Sequence, residues 1–416
     1  MSFELLTRRQ KALGASYRLF YEEPFAPVRG EGVWLYDKDN TPYLDAYNNV
    51  ASIGHCHPAV VRAIAEQCAQ LNTHTRYLHP SIVEYAEDLL GEFPETLNNL
   101  TMTCTGSEAN DLALRIARCH SGGTGILVTR WAYHGVTSAL AEISPSLATG
   151  LPTASHVRLV DAPDSYRQKD FVGSVKAALE DMQQHGIKPS ALLIDSIFSS
   201  DGVFSPSNGE MAAAAQCVRE AGGLYIADEV QPGFGRTGGQ FWGFQRDAVV
   251  PDLVTLGKPM GNGHPVAGVV GRSDLLDQFG RQQRYFNTYG GNPVSCKAAQ
   301  AVLDVLREEN LQANARDVGS YLAQGLRALA ERYEVIADVR GEGLFIGVEL
   351  VENCDARTPA SRAAALVVNG MRQRRVLIST TGPAANILKI RPPLVFTRTH
   401  ADLLVERLDA TLASLS

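Results

Sequence analysis

No stretch of the 416 residues reaches the apolar length that a membrane helix needs, and no block of like charge interrupts the chain. The net charge of -7 is mild, so neither a nucleic-acid surface nor attachment to anionic membranes is implied, and small molecules are the expected partners. Seven cysteines, an odd number without framework spacing and with no secretory signal ahead of them, point to a reducing cytoplasm. A metal site is not expected either. His55, Cys56 and His57 are adjacent on one short loop, where three ligands cannot converge on one ion, and no second cluster completes the set. What is present, 45% hydrophobic and 20% charged residues, suits a soluble globular protein long enough for two domains.

The stretch from Leu224 to Gly263 carries the strongest signal. Leu224-Tyr225-Ile226-Ala227 is a short, continuous apolar run after a helix expected over Glu210 to Glu220 that stops at Gly222-Gly223, the pattern of a helix feeding a buried parallel strand. It ends at Asp228. Leu253-Val254-Thr255-Leu256 reads the same way and stops at Gly257-Lys258-Pro259, because proline cannot continue a central strand. Open α/β sheets place their ligands outside such strand ends.

An acid and a lysine on neighbouring strand ends could be no more than a buried ion pair. Their surroundings say more. Asp228-Glu229-Val230-Gln231 and Gly257-Lys258 resemble the class III aminotransferases, fold type I enzymes of pyridoxal 5'-phosphate (PLP). The resemblance implies an α/β protein of the PLP-dependent transferase fold, with a large domain built on a mostly parallel seven-stranded sheet and a smaller α+β domain. Residues 1–57 and 301–416 would form the small domain, and residues 58–300 the large one. Lys258 would carry PLP as a Schiff base, Asp228 would keep the pyridine nitrogen protonated, and Gln231 would meet the ring's phenolic oxygen.

Other strings extend the likeness. Thr105-Gly106-Ser107-Glu108-Ala109-Asn110 opens a helix whose N-terminus and hydroxyl suit an anion; it matches the family's phosphate cup, so Gly106 and Ser107 are expected on the PLP phosphate. Tyr133, followed by His134-Gly135, matches the aromatic that stacks on the ring. The loop Thr288-Tyr289-Gly290-Gly291-Asn292-Pro293 implies that Thr288 reaches the cofactor of a second subunit, in a homodimer or a dimer of dimers. Tyr47 and Asn49 lie on a loop that enters the active site in the family. Arg76, with Tyr77, is a candidate for contact with the substrate or the neighbouring subunit.

Two positions depart from the family's habit. Asp195-Ser196 stands where a Glu is usual, which weakens any role in which that acid swings to pair with an arginine. Lys389 stands three residues before Pro392-Pro393, where many aminotransferases hold a carboxylate-gripping Arg, and a lysine is a point charge without the planar fork. Arg391 lies two residues on, and in a strand both would face the same way. These strings, with Tyr43 to Val50, Gly54 to Pro58 and Gly257 to Pro265, are most similar to the ethanolamine-phosphate phospho-lyase branch of the class. That branch implies conversion of O-phosphoethanolamine, a small phosphorylated amine, to acetaldehyde, ammonia and phosphate. The alternative is an omega-aminotransferase moving an amino group from a primary amine to pyruvate or oxoglutarate.

Overall fold

The computed structural model describes residues 2–48, 50–147, 153–206, 209–353 and 355–415. At its centre is a seven-stranded sheet in the order Asn99–Thr103, Ala267–Gly271, Leu253–Leu256, Leu224–Asp228, Pro189–Asp195, Gly125–Thr129, Val157–Val160. Ala267–Gly271 runs antiparallel to both of its neighbours, and the remaining pairs are parallel. The fold is therefore mixed α/β with a mostly parallel sheet.

The uninterrupted apolar runs follow from burial on both faces. Leu224 and Ile226 join Ile126, Val128, Ala191 and Leu193 in a core closed by Leu112, Ala113 and Ile116 of the helix Gly106–Ser121. Tyr225 and Ala227 point the other way, into a core that includes Val175 and Met182 of Phe171–Gln184 and Ala214 and Val218 of Glu210–Glu220. Alternate residues serve opposite layers, so neither face of the strand can be polar. The first polar side chain allowed in the run is at its carboxyl end, Asp228.

A smaller sheet joins distant parts of the sequence. The hairpin strands Trp34–Tyr36 and Pro42–Asp45 lead to a parallel pairing of Leu44 with Val376. A further sheet takes Ile336–Glu342, Phe345–Asn353, Ile387–Ile390 and Ser379–Thr381. Two details differ from expectation. The sequence predicts a helix through Arg8 to Leu19, whereas the first helix spans Ser2–Leu13; it also predicts one long amphipathic helix from about Val302, which is divided in two. Pro293–Glu308 ends where Asn310 adopts a left-handed φ of 53°, and Leu311–Ala330 starts anew.

Gly319 on that second helix lies against the turn at Gly343; a Cβ there would sit 2.0 Å from Gly343 O. Gly319→Ala is expected to cost about 1–3 kcal/mol of stability by overpacking, read as a lower denaturant midpoint, and an unchanged midpoint would contradict this packing.

Candidate active site

The strand ends bring three polar residues into one row. Asp195, Asp228 and Thr255 are register partners across three adjacent parallel strands. Beyond Thr255 the chain reaches Lys258, which opens a short turn, Lys258–Gly261, with Pro259 second.

Asp228 is buried and well supplied with donors. Asn110 Nδ2 donates to its Oδ2 at 2.9 Å, and His134 Nδ1 lies 2.8 Å from the same oxygen. The Val230 N–H donates to Oδ1 at 3.1 Å. Asn110 is fixed in turn: Nδ2 also donates to His134 O at 2.8 Å, and Thr255 Oγ1 donates to Oδ1 at 2.6 Å. A carboxylate so fixed in a low-dielectric site suits an opposing protonated ring nitrogen. Near it, Tyr133 is half-buried, and burial followed by the charge of Asp228 raises its phenol. The Lys258 amine is lowered by burial and then by Arg391, with Asp228 and Asp195 acting against both.

At the opposite end of this cleft Thr105 caps the helix Gly106–Ser121. Its side chain accepts the Glu108 N–H while Glu108 Oε2 accepts the N–H of Cys104 at 2.7 Å and of Thr105 at 3.0 Å. The amides of Gly106 and Ser107 are among those that a first helical turn leaves without intrahelical acceptors. Ser107 Oγ accepts the Val136 N–H at 3.2 Å, and a Cβ on Gly135 would come within 2.5 Å of that oxygen. The loop must thus pass close to the helix start. An anion cradle, a buried carboxylate and an amine line one cleft with Tyr133 and Gln231. This donor set fits PLP: cradle for phosphate, carboxylate for ring nitrogen, amine for aldehyde.

The remaining basic groups enter from the other sheet. Arg391 is buried; its Nε donates to Tyr47 O at 3.0 Å, and its Nη1 donates to Gln231 Oε1. Lys389 is buried too and donates to Ser199 O at 3.1 Å. Both lie over the Phe345 ring, at 5.6 Å for Lys389 Nζ and 5.4 Å for the Arg391 guanidinium, as the shared strand face anticipates. Asp195 is not free to swing toward them. Its carboxylate accepts from the amides of Ile197 at 3.1 Å and Ser199 at 3.0 Å and from the Ser199 hydroxyl. Burial and the neighbouring Asp228 raise its carboxyl.

Not every expected residue meets the cleft. Arg76 is exposed and stacks on Phe286 at 3.8 Å, and Thr288 is exposed as well. Asn49 lies outside the described residues. Conversely, Asn110 has a place that its string alone did not disclose, although it falls one helical turn beyond Gly106. Asp201 is a second such residue: it accepts from Thr129 Oγ1 at 2.7 Å and the Trp131 N–H at 3.1 Å, pinning the start of the loop that bears Tyr133 and His134. Burial pushes its carboxyl up to about 6. Its acceptors are set by the fold, and no local pattern marks them.

The aminotransferase class-III family model matches residues 20–412. The chain belongs to this family. A class III chain with this sheet has PLP fold type I, and its cofactor is PLP. It is similar to an Arthrobacter phospholyase solved in complex with phosphoethanolamine, with 46% identity, a TM-score of 0.96, and coverage of 99% of this chain and 100% of that one. It is 41% identical to a Drosophila melanogaster protein named alanine--glyoxylate aminotransferase 2-like, over 96% of this chain and 85% of the relative. It is 36% identical to ethanolamine-phosphate phospho-lyase homolog 1 of Caenorhabditis elegans, over 99% and 94%. Among the described residues no helix is long and apolar enough to cross a membrane, and no group of His, Cys, Asp or Glu could hold a metal ion.

Asn110→Ala removes one donor from buried Asp228 and the bridge to Thr255. PLP affinity of the class III enzyme is expected to fall about tenfold, as for an unmet buried polar group worth about 1–3 kcal/mol, measured by fluorescence titration of the apoprotein; unaltered affinity would show that Asn110 does not set Asp228.

Proposed function

We propose that this class III enzyme is a phospho-lyase that converts O-phosphoethanolamine and water to acetaldehyde, ammonia and phosphate. The observation that carries the reading is the pair Lys389 and Arg391, both buried over the Phe345 ring, with Arg391 on Gln231 of the cleft and no ion pair to either among the described residues. A buried guanidinium with a protonatable amine beside it calls for an anion. A substrate phosphate, with two negative charges, answers that demand more fully than a monoanionic carboxylate. The similarity to a phospholyase bound to phosphoethanolamine supports the same choice.

When bound, PLP supplies an electron sink beside the substrate's amino-bearing carbon. Asp228, held by Asn110 and His134, keeps the proton on the ring nitrogen on which that sink depends. Gly106 and Ser107 would hold the cofactor phosphate, with Tyr133 for its ring and Gln231 for its phenolic oxygen. Because Arg391 donates to Gln231, the same contact ties the cofactor's edge to the substrate's anion site. Lys258 would hold the cofactor's aldehyde carbon. Its amine then takes the proton from the carbon bearing nitrogen, and the downward push of burial favours this unprotonated form. Lys389 and Arg391 bind the substrate phosphate, with Tyr47 against Arg391.

Arg76 and Thr288, exposed in the single chain, reach the site of a second copy in a homodimer or dimer of dimers. Residues 1–57 and 301–416 form the small domain around the large one at 58–300, as the pairing of Leu44 with Val376 supports. The cytoplasm suits the six free cysteines among the described residues. The aminotransferase name of the Drosophila relative favours a second reading, transfer of an amino group from a primary amine to pyruvate or oxoglutarate.

Purified PLP-loaded protein mixed with O-phosphoethanolamine and no keto acid is expected to release phosphate and acetaldehyde in equal amounts over many turnovers. Phosphate that stays flat, with turnover appearing only when pyruvate and an amine are supplied together, would instead identify an aminotransferase. Asp228→Ala is expected to lower either activity by several orders of magnitude while Lys258 still takes up PLP; near-normal turnover would contradict the role of Asp228.

A further inference from the structure

Lys389 is a buried amine whose hydrogen-bonding capacity is largely unused. Its Nζ donates to Ser199 O at 3.1 Å, whereas an ammonium carries three donors. Arg391 stands two residues along the same face, Lys258 belongs to the facing strand end, and the Phe345 ring lies beneath. The one carboxylate that acts on it, Asp195, already accepts from Ile197 and Ser199. Burial, then Arg391 and also Lys258, depress the Lys389 ammonium well below its usual range, and Asp195 opposes them. Arg391 is the fixed cation of the pair, because a guanidinium does not give up its proton at ordinary pH.

Resting on the phospho-lyase reading, we propose that Lys389 is the acid of the elimination: uncharged in the free site, it takes up a proton as the phosphate dianion enters and delivers that proton to the departing phosphate. An arriving dianion favours the charged amine, against burial and Arg391. When the carbon–oxygen bond breaks, its electron pair stays on oxygen. The proton from Lys389 Nζ then makes the leaving group hydrogenphosphate rather than a trianion. The proton that Lys258 takes from the amino-bearing carbon returns to the terminal carbon of the product on the way to acetaldehyde. Lys258 is thereby restored, and Lys389 is left neutral, to draw its next proton from solvent when the next dianion enters.

Calorimetric titration of the holoenzyme with inorganic phosphate near pH 8, in two buffers of different ionisation enthalpy, tests this directly. The wild-type protein is expected to take up about one proton per phosphate bound, since a group that turns from neutral to charged must draw it from buffer. Lys389→Arg keeps a cation and cannot change its charge. It is expected to bind phosphate within about tenfold of wild type, without proton uptake, and to release phosphate from O-phosphoethanolamine about 100-fold more slowly or worse. Lys389→Met, which cannot gain a proton, is expected to show no uptake either. Phosphate binding by the wild type without a proton, or equal uptake in Lys389→Arg, would overturn the proposal and leave the phospho-lyase reading intact. A wild-type holoenzyme that neither binds phosphate nor releases it from O-phosphoethanolamine would overturn both.

Discussion

Charge taken out of water has to be answered by a partner, and in this protein the answers are unevenly distributed. Asp228 has Asn110, His134 and a backbone amide around it. The basic side chains fare worse. Arg391 meets an amide oxygen and a carbonyl, and Lys389 meets one carbonyl. Arg236 is buried behind Arg391, where it donates to Leu344 O and Pro392 O, keeps Nη2 without a hydrogen-bond partner, and is lowered by burial to about 9. Burial of a cation without a carboxylate is costly. A fold that accumulates such groups at one cleft stores a demand for anions there, and PLP with a phosphorylated substrate would meet it.

The central sheet makes this possible by a simple geometric rule. Alternating apolar residues commit each parallel strand to two cores, so polar groups can gather only where the strands stop. Asp195 and Asp228 stop at the same level, and Lys258 follows the next strand. The second sheet then approaches with Lys389 and Arg391 on one face. The acids and Lys258 thus come from one sheet and the buried basic pair from another, with Gln231 and Arg391 joining them.

Much of this was legible in the chain. Asp228, Lys258 and the Gly106-Ser107 cup are marked by local pattern: an apolar run, a breaker and a capped helix start. The strand spacing of Lys389 and Arg391 also carried through. What local pattern could not disclose were bonds made across the fold. Asn110 reaches Asp228 over 118 positions, and Asp201 reaches Thr129 over 72. The restraint on Asp195 was hidden because it depends on how residues 197–199 turn back on the strand end. Arg76 and Thr288, which the resemblance offered as site residues, are exposed in this chain. The division of the long helix at Asn310 turns on one left-handed residue, which amphipathic periodicity does not register.

The central claim is that the substrate's phosphate settles between Lys389 and Arg391. A crystal structure of the holoenzyme with 3-aminopropylphosphonate, in which carbon replaces the scissile oxygen so that elimination stops, would show this most directly. The expected result is phosphonate oxygens within hydrogen-bonding distance of Lys389 Nζ and the Arg391 guanidinium. A phosphonate bound elsewhere, with Lys389 still on Ser199 O and Arg391 still on Gln231 and Tyr47 O, would contradict the account.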